Sequence, residues 1–126
     1  MAIKIMICDD EIDILDVTQM ILEDAGFEVI AVSDSLNAEQ IFLNEMPDLL
    51  LIDLWMPGIS GDRIISSLKS NVAHTNIPMI VLSASDTGKQ TAMSCGAEDF
   101  IPKPYDIDNL LDILNSHLIE KSNSKY

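Results

Sequence analysis

The chain has 126 residues, 48% of them hydrophobic, which is enough to fold as one domain around a buried core. Seven basic and 21 acidic residues give a formal net charge of −14, which argues against direct binding to nucleic acid or anionic membranes. No apolar run is long enough to cross a bilayer. Cys8 and Cys95 lack metal-ligand spacing, so we expect a cytoplasmic protein with free thiols.

Strands and helices are predicted to alternate along the chain. Gly26 and Gly96 are typical residues at helix ends, and Asp106 is a typical N-cap. Two runs, 48–53 and 78–83, are almost entirely aliphatic, which is typical of the central strands of a parallel sheet. In chain order, the pattern predicts strand 3–8, helix 11–25, strand 27–32, helix 36–45, strand 48–53, helix 62–69, strand 78–83, helix 87–95, strand 99–102 and helix 106–120.

This alternation predicts an α/β fold of the doubly wound type, in which helices cover both faces of a parallel sheet. We expect one domain over residues 1–120 and a disordered tail over residues 121–126. The two histidines, His74 and His117, lie away from the strand ends and are expected at the surface. In open α/β sheets the ligand site lies at the carboxyl ends of the strands, so the residues at those ends are the candidates for function.

Polar side chains stand at four of the five predicted strand ends. Asp9 and Asp10 follow the first strand, Asp53 and Ser83 end the third and fourth, and Lys103 follows the fifth. Each has an ordinary alternative role, as a helix cap, a turn residue, a strand-end hydroxyl or a solvated charge. Capping and turns do not explain why all of them stand at the carboxyl ends of one sheet, so we expect them to share a pocket.

The charges expected in this pocket favour a bound cation. Three carboxylates in one pocket repel one another, and Lys103 supplies only one positive charge. Mg²⁺ suits the remainder, because it binds carboxylate oxygens and leaves room for phosphate oxygens. Asp53 is then the best candidate for a nucleophile that forms an aspartyl-phosphate, with Asp9 and Asp10 holding the metal.

Four short motifs in a fixed order carry a resemblance to a known family. They are CDDE after the first strand, LLLIDLWMPGISG around the third, VLSAS at the fourth and FIPKPYD at the fifth. With this spacing, residues 3–120 resemble the receiver domains of two-component response regulators, particularly the single-domain kind similar to chemotaxis regulators. The resemblance implies a flavodoxin-like fold with five parallel strands in the order 2-1-3-4-5.

The resemblance also implies a role for each acid in the pocket. Asp53 would accept a phosphoryl group from a phosphohistidine on a sensor kinase or a phosphotransfer protein. Asp10, Asp53 and the backbone carbonyl of Trp55 would ligate Mg²⁺, and Asp9 would act through water. Lys103 would pair with the phosphoryl group.

Further residues would couple phosphorylation to a conformational change at the protein surface. The resemblance implies that the Ser83 hydroxyl and backbone amides near Ala84 move toward the phosphoryl group, and that Phe100 then rotates inward. Ser83 stands where threonine is commoner in this family, and Phe100 where tyrosine is also frequent. The surface that changes would be helix 4, strand 5 and helix 5, and the Lys103–Pro104 bond is expected to be cis.

Two other functions are compatible with parts of this pattern. One is an unphosphorylated pseudo-receiver that acts only as an interaction module. The other is a Mg²⁺-dependent phosphatase with an aspartyl nucleophile, although Trp55 stands where such enzymes usually carry a second aspartate. The sequence leaves open the cognate kinase, the downstream protein target, the oligomeric state and whether the domain is free-standing. Output through protein contact is expected, without direct contact to nucleic acid or membrane.

Overall fold

The computed structural model describes residues 2–84 and 88–123, which contain five strands and five α-helices in alternation. Each strand and helix begins and ends within one residue of its predicted position, except that the last helix ends later than predicted. The predicted start of the fourth helix, residue 87, lies outside the described residues. The elements are β1 (Lys4–Cys8), α1 (Ile12–Asp24), β2 (Glu28–Val32), α2 (Ser35–Glu45), β3 (Leu49–Asp53), α3 (Gly61–Lys69), a 3₁₀ helix (Val72–His74), β4 (Met79–Ser83), α4 (Gly88–Cys95), β5 (Asp99–Pro102) and α5 (Ile107–Asn123).

The five strands form one parallel sheet in the order β2-β1-β3-β4-β5, which confirms the predicted flavodoxin-like topology. The chain passes from β1 to β2 on one side of β1 and then crosses to β3 on its other side. The topological switch point therefore lies between β1 and β3. All five residues of β3 and of β4 are buried, as expected for aliphatic central strands. The sheet therefore brings the carboxyl ends of β1 and β3 side by side at its centre.

Side chains that alternate along each strand divide the core into two layers. In β1, Met6 and Cys8 point to the face covered by α2, α3 and α4, where Phe42 is fully buried. Ile5 and Ile7 point to the face covered by α1 and α5, in a layer that includes Leu15, Leu22, Leu110 and Leu114. Because each fully buried Leu, Ile or Phe side chain contributes about 1.5–3 kcal/mol, these layers supply most of the stabilising free energy.

Local signals explain where the helices begin and end. The Asp34 carboxylate accepts a hydrogen bond from the Leu36 N–H at 3.0 Å and caps α2. The Asp106 carboxylate accepts one from the Asn109 N–H at 2.6 Å, which confirms its predicted capping role at α5. Gly26 follows α1 with φ +97°, a left-handed conformation that ends helices and favours glycine.

Two expectations about the periphery differ from the structure. His74 is buried rather than at the surface, because its ring packs edge-on against Phe42 and its Nδ1 lies 2.9 Å from the Leu68 carbonyl oxygen. His117 is partly buried, with Nε2 2.9 Å from Asp99 Oδ2.

The last helix is longer than predicted. Its end at Asn123 overlaps the first half of the segment 121–126 that was expected to be disordered, because no glycine or proline there stops the helix. Residues 124–126 lie outside the described part of the chain. Within the described part, none of the helices combines the length and the apolar character that a membrane span requires.

Candidate functional site

Three carboxylates meet at the centre of the sheet's carboxyl edge. Asp9 follows β1, Asp53 ends β3, and each offers an oxygen that lies within 4.8 Å of the others and of one from Asp10. Asp9 and Asp53 are buried, whereas Asp10 is more exposed to solvent. The three predicted acids therefore share one pocket.

Lys103 reaches into this pocket from the end of β5. Its Nζ lies 2.8 Å from Asp9 Oδ2, 3.2 Å from Glu11 Oε1 and 3.6 Å from Asp53 Oδ1. Burial alone would lower the pKa of Lys103, but its hydrogen bond to Asp9 and the neighbouring carboxylates raise the pKa overall. The ammonium group is thus charged and serves several acids, including Glu11, to which sequence reasoning assigned no role.

Asp53 carries the most perturbed carboxylate of the cluster. Burial raises its pKa to about 6, and the negative charges of Asp9, Asp10 and Glu11 act in the same direction. Lys103 opposes them by stabilising the ionised form. At neutral pH the pocket therefore holds an excess of negative charge that Lys103 does not fully offset.

The donors in this pocket fit a hard divalent cation. They are carboxylate oxygens at the rim of a charged pocket, which suits Mg²⁺ and does not suit zinc, whose sites use sulfur or imidazole ligands. Asp9 already accepts hydrogen bonds from Lys103 and, at 3.0 Å, from the Glu11 N–H. Asp10 and Asp53 are consequently the acids with more freedom to ligate a metal directly.

Ser83 ends β4, next to the strand that carries Asp53. It is buried, and its carbonyl oxygen accepts a hydrogen bond from the Lys103 N–H at 2.9 Å, so the ends of β4 and β5 are joined. Ala84 follows and is exposed. The Lys103–Pro104 peptide bond is cis, as predicted.

Phe100 lies on β5, partly buried against the core layer formed with α2, α3 and α4. Gly88, the first residue of α4, fits between Phe100 and Ser83. A β-carbon at this glycine would lie 2.8 Å from Cε2 of the phenylalanine ring and 2.9 Å from the serine Oγ. The start of α4 thus contacts both residues predicted to act in the switch.

The loop between β3 and α3 follows Asp53 directly and contains Trp55, a residue that is 55% exposed. Ser35, at the start of α2, bonds to this loop: its Oγ donates to the Pro57 carbonyl at 2.6 Å and accepts from the Ile59 N–H at 3.0 Å. Sequence reasoning missed this contact, because a serine at the start of a helix looks like an ordinary capping residue.

A groove of about 640 Å³ lies beside the pocket, between α1 and the segment that joins β5 to α5. Apolar side chains line most of it, including Val17, Ile21 and Ile107. Thr18 and Tyr105 join its two walls through a hydroxyl–hydroxyl hydrogen bond of 2.6 Å. Lys103 and Glu11 also line the groove, so it is continuous with the charged pocket.

Comparison with known proteins agrees with this geometry. Residues 5–115 match the family model described as the response regulator receiver domain. The phosphate regulon transcriptional regulatory protein PhoB of Pseudomonas aeruginosa is 34% identical over 103 residues, which cover 80% of this chain and 45% of that protein. The chain spans less than half the length of the curated relatives it matches.

Solved structures of similar chains have the same fold. A response regulator receiver domain protein (CheY-like) from Methanospirillum hungatei is 26% identical, with a TM-score of 0.89 and coverage of 98% of this chain and 99% of that one. A response regulator receiver domain protein from Clostridium thermocellum is 28% identical, with a TM-score of 0.87 and coverage of 95% and 97%. The likeness extends over nearly the whole of each chain.

Proposed function

The chain belongs to the response regulator receiver domain family, and from this membership we propose that Asp53 accepts a phosphoryl group from a phosphohistidine on a partner protein. Receiver domains are signalling switches. The observation that carries the proposal is the position of Asp53, at the end of the central strand, between the acids that follow β1 and the ammonium group of Lys103.

In the proposed reaction, a carboxylate oxygen of Asp53 attacks phosphorus. A phosphorus–oxygen bond forms, the phosphorus–nitrogen bond breaks, and its electron pair returns to the imidazole of the donor. Asp53 must be ionised to attack, and a cation bound nearby would favour the ionised form by opposing the effects that raise its pKa. Lys103 lies close enough to pair with the transferred group, since its Nζ is 3.6 Å from Asp53.

Receiver domains generally bind Mg²⁺ at an acidic pocket, and the pocket of this chain has suitable donors. In the proposal, Asp10, Asp53 and the backbone carbonyl of Trp55 hold the ion. Asp9 acts through water, in keeping with its existing bonds to Lys103 and to the backbone. When bound, Mg²⁺ neutralises charge on the transferred phosphoryl group.

Phosphorylation adds about −1.5 to −2 charges and three strong acceptor oxygens beside Ser83 and Ala84. In the proposed switch, the Ser83 hydroxyl and the backbone near Ala84 bind these oxygens. Ser83 then withdraws from Gly88 and Phe100, and the phenylalanine ring turns inward. The equilibrium shifts between two packings of α4, β5 and α5, and this surface signals to a downstream protein.

The proposed donor is a histidine kinase or a histidine phosphotransfer protein. The groove between α1 and the β5–α5 connection supports docking there, because it is apolar and opens beside Lys103. The net charge of −14 favours protein partners over nucleic acid or anionic membranes. A cytoplasmic location is part of the proposal, and the free thiols of Cys8 and Cys95 agree with a reducing compartment.

The test is phosphorylation by acetyl phosphate in the presence of Mg²⁺. We expect the wild type to gain one phosphoryl group and Asp53→Asn to remain at background, because an amide is not a nucleophile for this transfer. Asp24→Asn is the matched control: Asp24 is exposed at the last residue of α1, whereas the pocket acids precede the start of that helix, so it should label like the wild type.

Equal labelling of Asp53→Asn and the wild type would overturn the assignment of the acceptor. A folded wild type that takes up no phosphate from acetyl phosphate or from a phosphohistidine protein would instead identify a pseudo-receiver. Sustained release of phosphate from external esters would identify a phosphatase.

A further inference from the structure

The loop that follows Asp53 is fixed at both of its ends. At its start, the Leu54 N–H donates to the Leu82 carbonyl at 3.0 Å, which continues the ladder between β3 and β4. At its end, the Gly61 N–H donates to the Leu54 carbonyl at 2.8 Å and closes the loop. A β-carbon at Gly61 would overlap the carbonyl oxygen of Asp53, so α3 begins directly against the acceptor's backbone.

The middle of the loop depends on a side chain from another helix. Ser35 is 3% exposed, and its hydroxyl both donates to the Pro57 carbonyl and accepts from the Ile59 N–H. The two bonds flank a single residue, Gly58. One buried hydroxyl thereby satisfies a backbone acceptor and a backbone donor of the same loop.

The contact between Ser35 and the loop also depends on Gly58. This glycine has φ +93°, a conformation that L side chains rarely adopt, and a β-carbon there would lie 2.6 Å from Ser35 Oγ. The close approach of the serine and the turn of the loop therefore require each other. Residues from two separate segments of the sequence form one local structure.

We propose that Ser35 is a positioning residue for the metal site, because it fixes the loop that carries the backbone carbonyl of Trp55. This inference rests on the proposed function, in which that carbonyl and Asp53 ligate the same ion. Trp55 lies two residues before Pro57, so in this proposal the bonds from Ser35 to Pro57 and Ile59 restrict the position of the Trp55 peptide. Without Ser35, metal binding would have to order the loop, and the free energy of ordering would be lost from the binding free energy.

The test compares Ser35→Ala with two other variants. Gly58→Ala disrupts the same contact from the loop side, through the close approach to Ser35 Oγ. Ala38→Gly is the matched control, because it weakens α2 by about 1 kcal/mol in a buried position of the helix interior and leaves Ser35, Pro57 and Ile59 unchanged. Mg²⁺ affinity is followed through the fluorescence of Trp55, the only tryptophan.

We expect the Kd for Mg²⁺ to rise about tenfold in Ser35→Ala and in Gly58→Ala, as is typical when partners that orient metal ligands are removed. Ala38→Gly should keep the wild-type Kd. Hydrogen exchange should be faster at the Ile59 amide in Ser35→Ala, even without Mg²⁺, because the amide has lost its acceptor. At saturating Mg²⁺, labelling by acetyl phosphate should return close to the wild-type rate.

Two results would overturn the inference, and they are distinguishable. If the wild type binds Mg²⁺ and labels, but Ser35→Ala has the same Kd as the wild type or as Ala38→Gly, Ser35 contributes only to folding. If the folded wild type neither binds Mg²⁺ nor labels, the proposed function fails and the role of Ser35 fails with it.

Discussion

Asp53 combines two properties that oppose each other in one side chain. Its position at the end of a buried strand raises its pKa to about 6, which disfavours the ionised form that the proposed reaction requires. The acids around it act in the same direction, and Lys103 compensates in part. In the absence of a metal, the ionised Asp53 side chain therefore destabilises the fold that positions it.

This conflict predicts that Asp53→Asn stabilises the metal-free protein at neutral pH. In the unfolded chain the aspartate titrates near pH 4, whereas in the folded protein it titrates near pH 6. Between these values the folded state holds more protons, so its stability falls as the pH rises. The variant lacks this loss, and we expect it to gain about 1–2 kcal/mol above pH 6, after allowance for screening by solvent.

The measurement is urea denaturation of both proteins between pH 4.5 and 7.5 in EDTA. The difference in unfolding free energy should be small at pH 4.5 and should grow toward pH 7. A constant difference between Asp53→Asn and the wild type would contradict the raised pKa.

Single residues also mark the limit of what the sequence predicts. The pocket residues Asp9, Asp53 and Lys103 were found because each stands next to a strand end, a relation visible in the local pattern. The burial of His74 was missed because it depends on Phe42, 32 positions away and on another helix. The bond from Ser35 to the loop spans 22 and 24 positions and leaves no local signal.

At the scale of the elements, a group of hydrogen bonds and one ion pair connects helices and strands at the amino-terminal edge of the sheet. Lys69, in the last turn of α3, donates from Nζ to the Ile77 carbonyl at 3.0 Å and to Glu98 Oε2 at 2.8 Å. The other oxygen of Glu98 accepts from the Met79 N–H at 2.7 Å. One lysine and one glutamate thus join α3 to the segments that enter β4 and β5.

We expect Lys69→Met to lower the free energy of unfolding by about 1–2 kcal/mol, since it removes hydrogen bonds to a partly buried ammonium group and leaves Glu98 without its cation. Chemical denaturation in moderate salt provides the measurement. Lys89→Met, at an exposed position on α4, should change the stability by less than about 0.5 kcal/mol. If the two substitutions change the unfolding free energy equally, the hydrogen bonds and the ion pair of Lys69 do not stabilise the fold.

At the scale of the whole molecule, a net charge of −14 on 126 residues produces self-repulsion in the folded state. Any salt screens this repulsion, whereas a specific magnesium site adds a contribution that depends on the pocket alone. The two effects have different concentration dependences and are separable by experiment.

We expect Mg²⁺ to raise the stability beyond the effect of KCl at equal ionic strength, by about 2.7 kcal/mol when its concentration is one hundred times the Kd. Thermal unfolding of the wild type and of Asp10→Asn in both salts provides the test. The variant should keep the response to KCl and lose most of the extra response to Mg²⁺. If KCl reproduces the full effect of Mg²⁺ on the wild type, the stabilisation is screening and not binding.

The architecture as a whole was predictable, because the signals for a parallel α/β fold repeat along the chain. Aliphatic runs identify the strands, and glycine, proline and capping residues mark the helix ends. The 3₁₀ helix at Val72–His74 was not predicted, since three residues are too few to show a period. The end of α5 at Asn123 was also missed, because the polar sequence there neither favours burial nor stops a helix.

Gly88 has a consequence for any attempt to redesign this domain. Its hydrogen atom fits where every larger substituent would meet both the ring of Phe100 and the hydroxyl of Ser83. A methyl group added at Gly88 would push the start of α4 away from both β4 and β5. In the proposed switch, Ser83 or Phe100 therefore cannot move toward Gly88 unless the start of α4 moves as well.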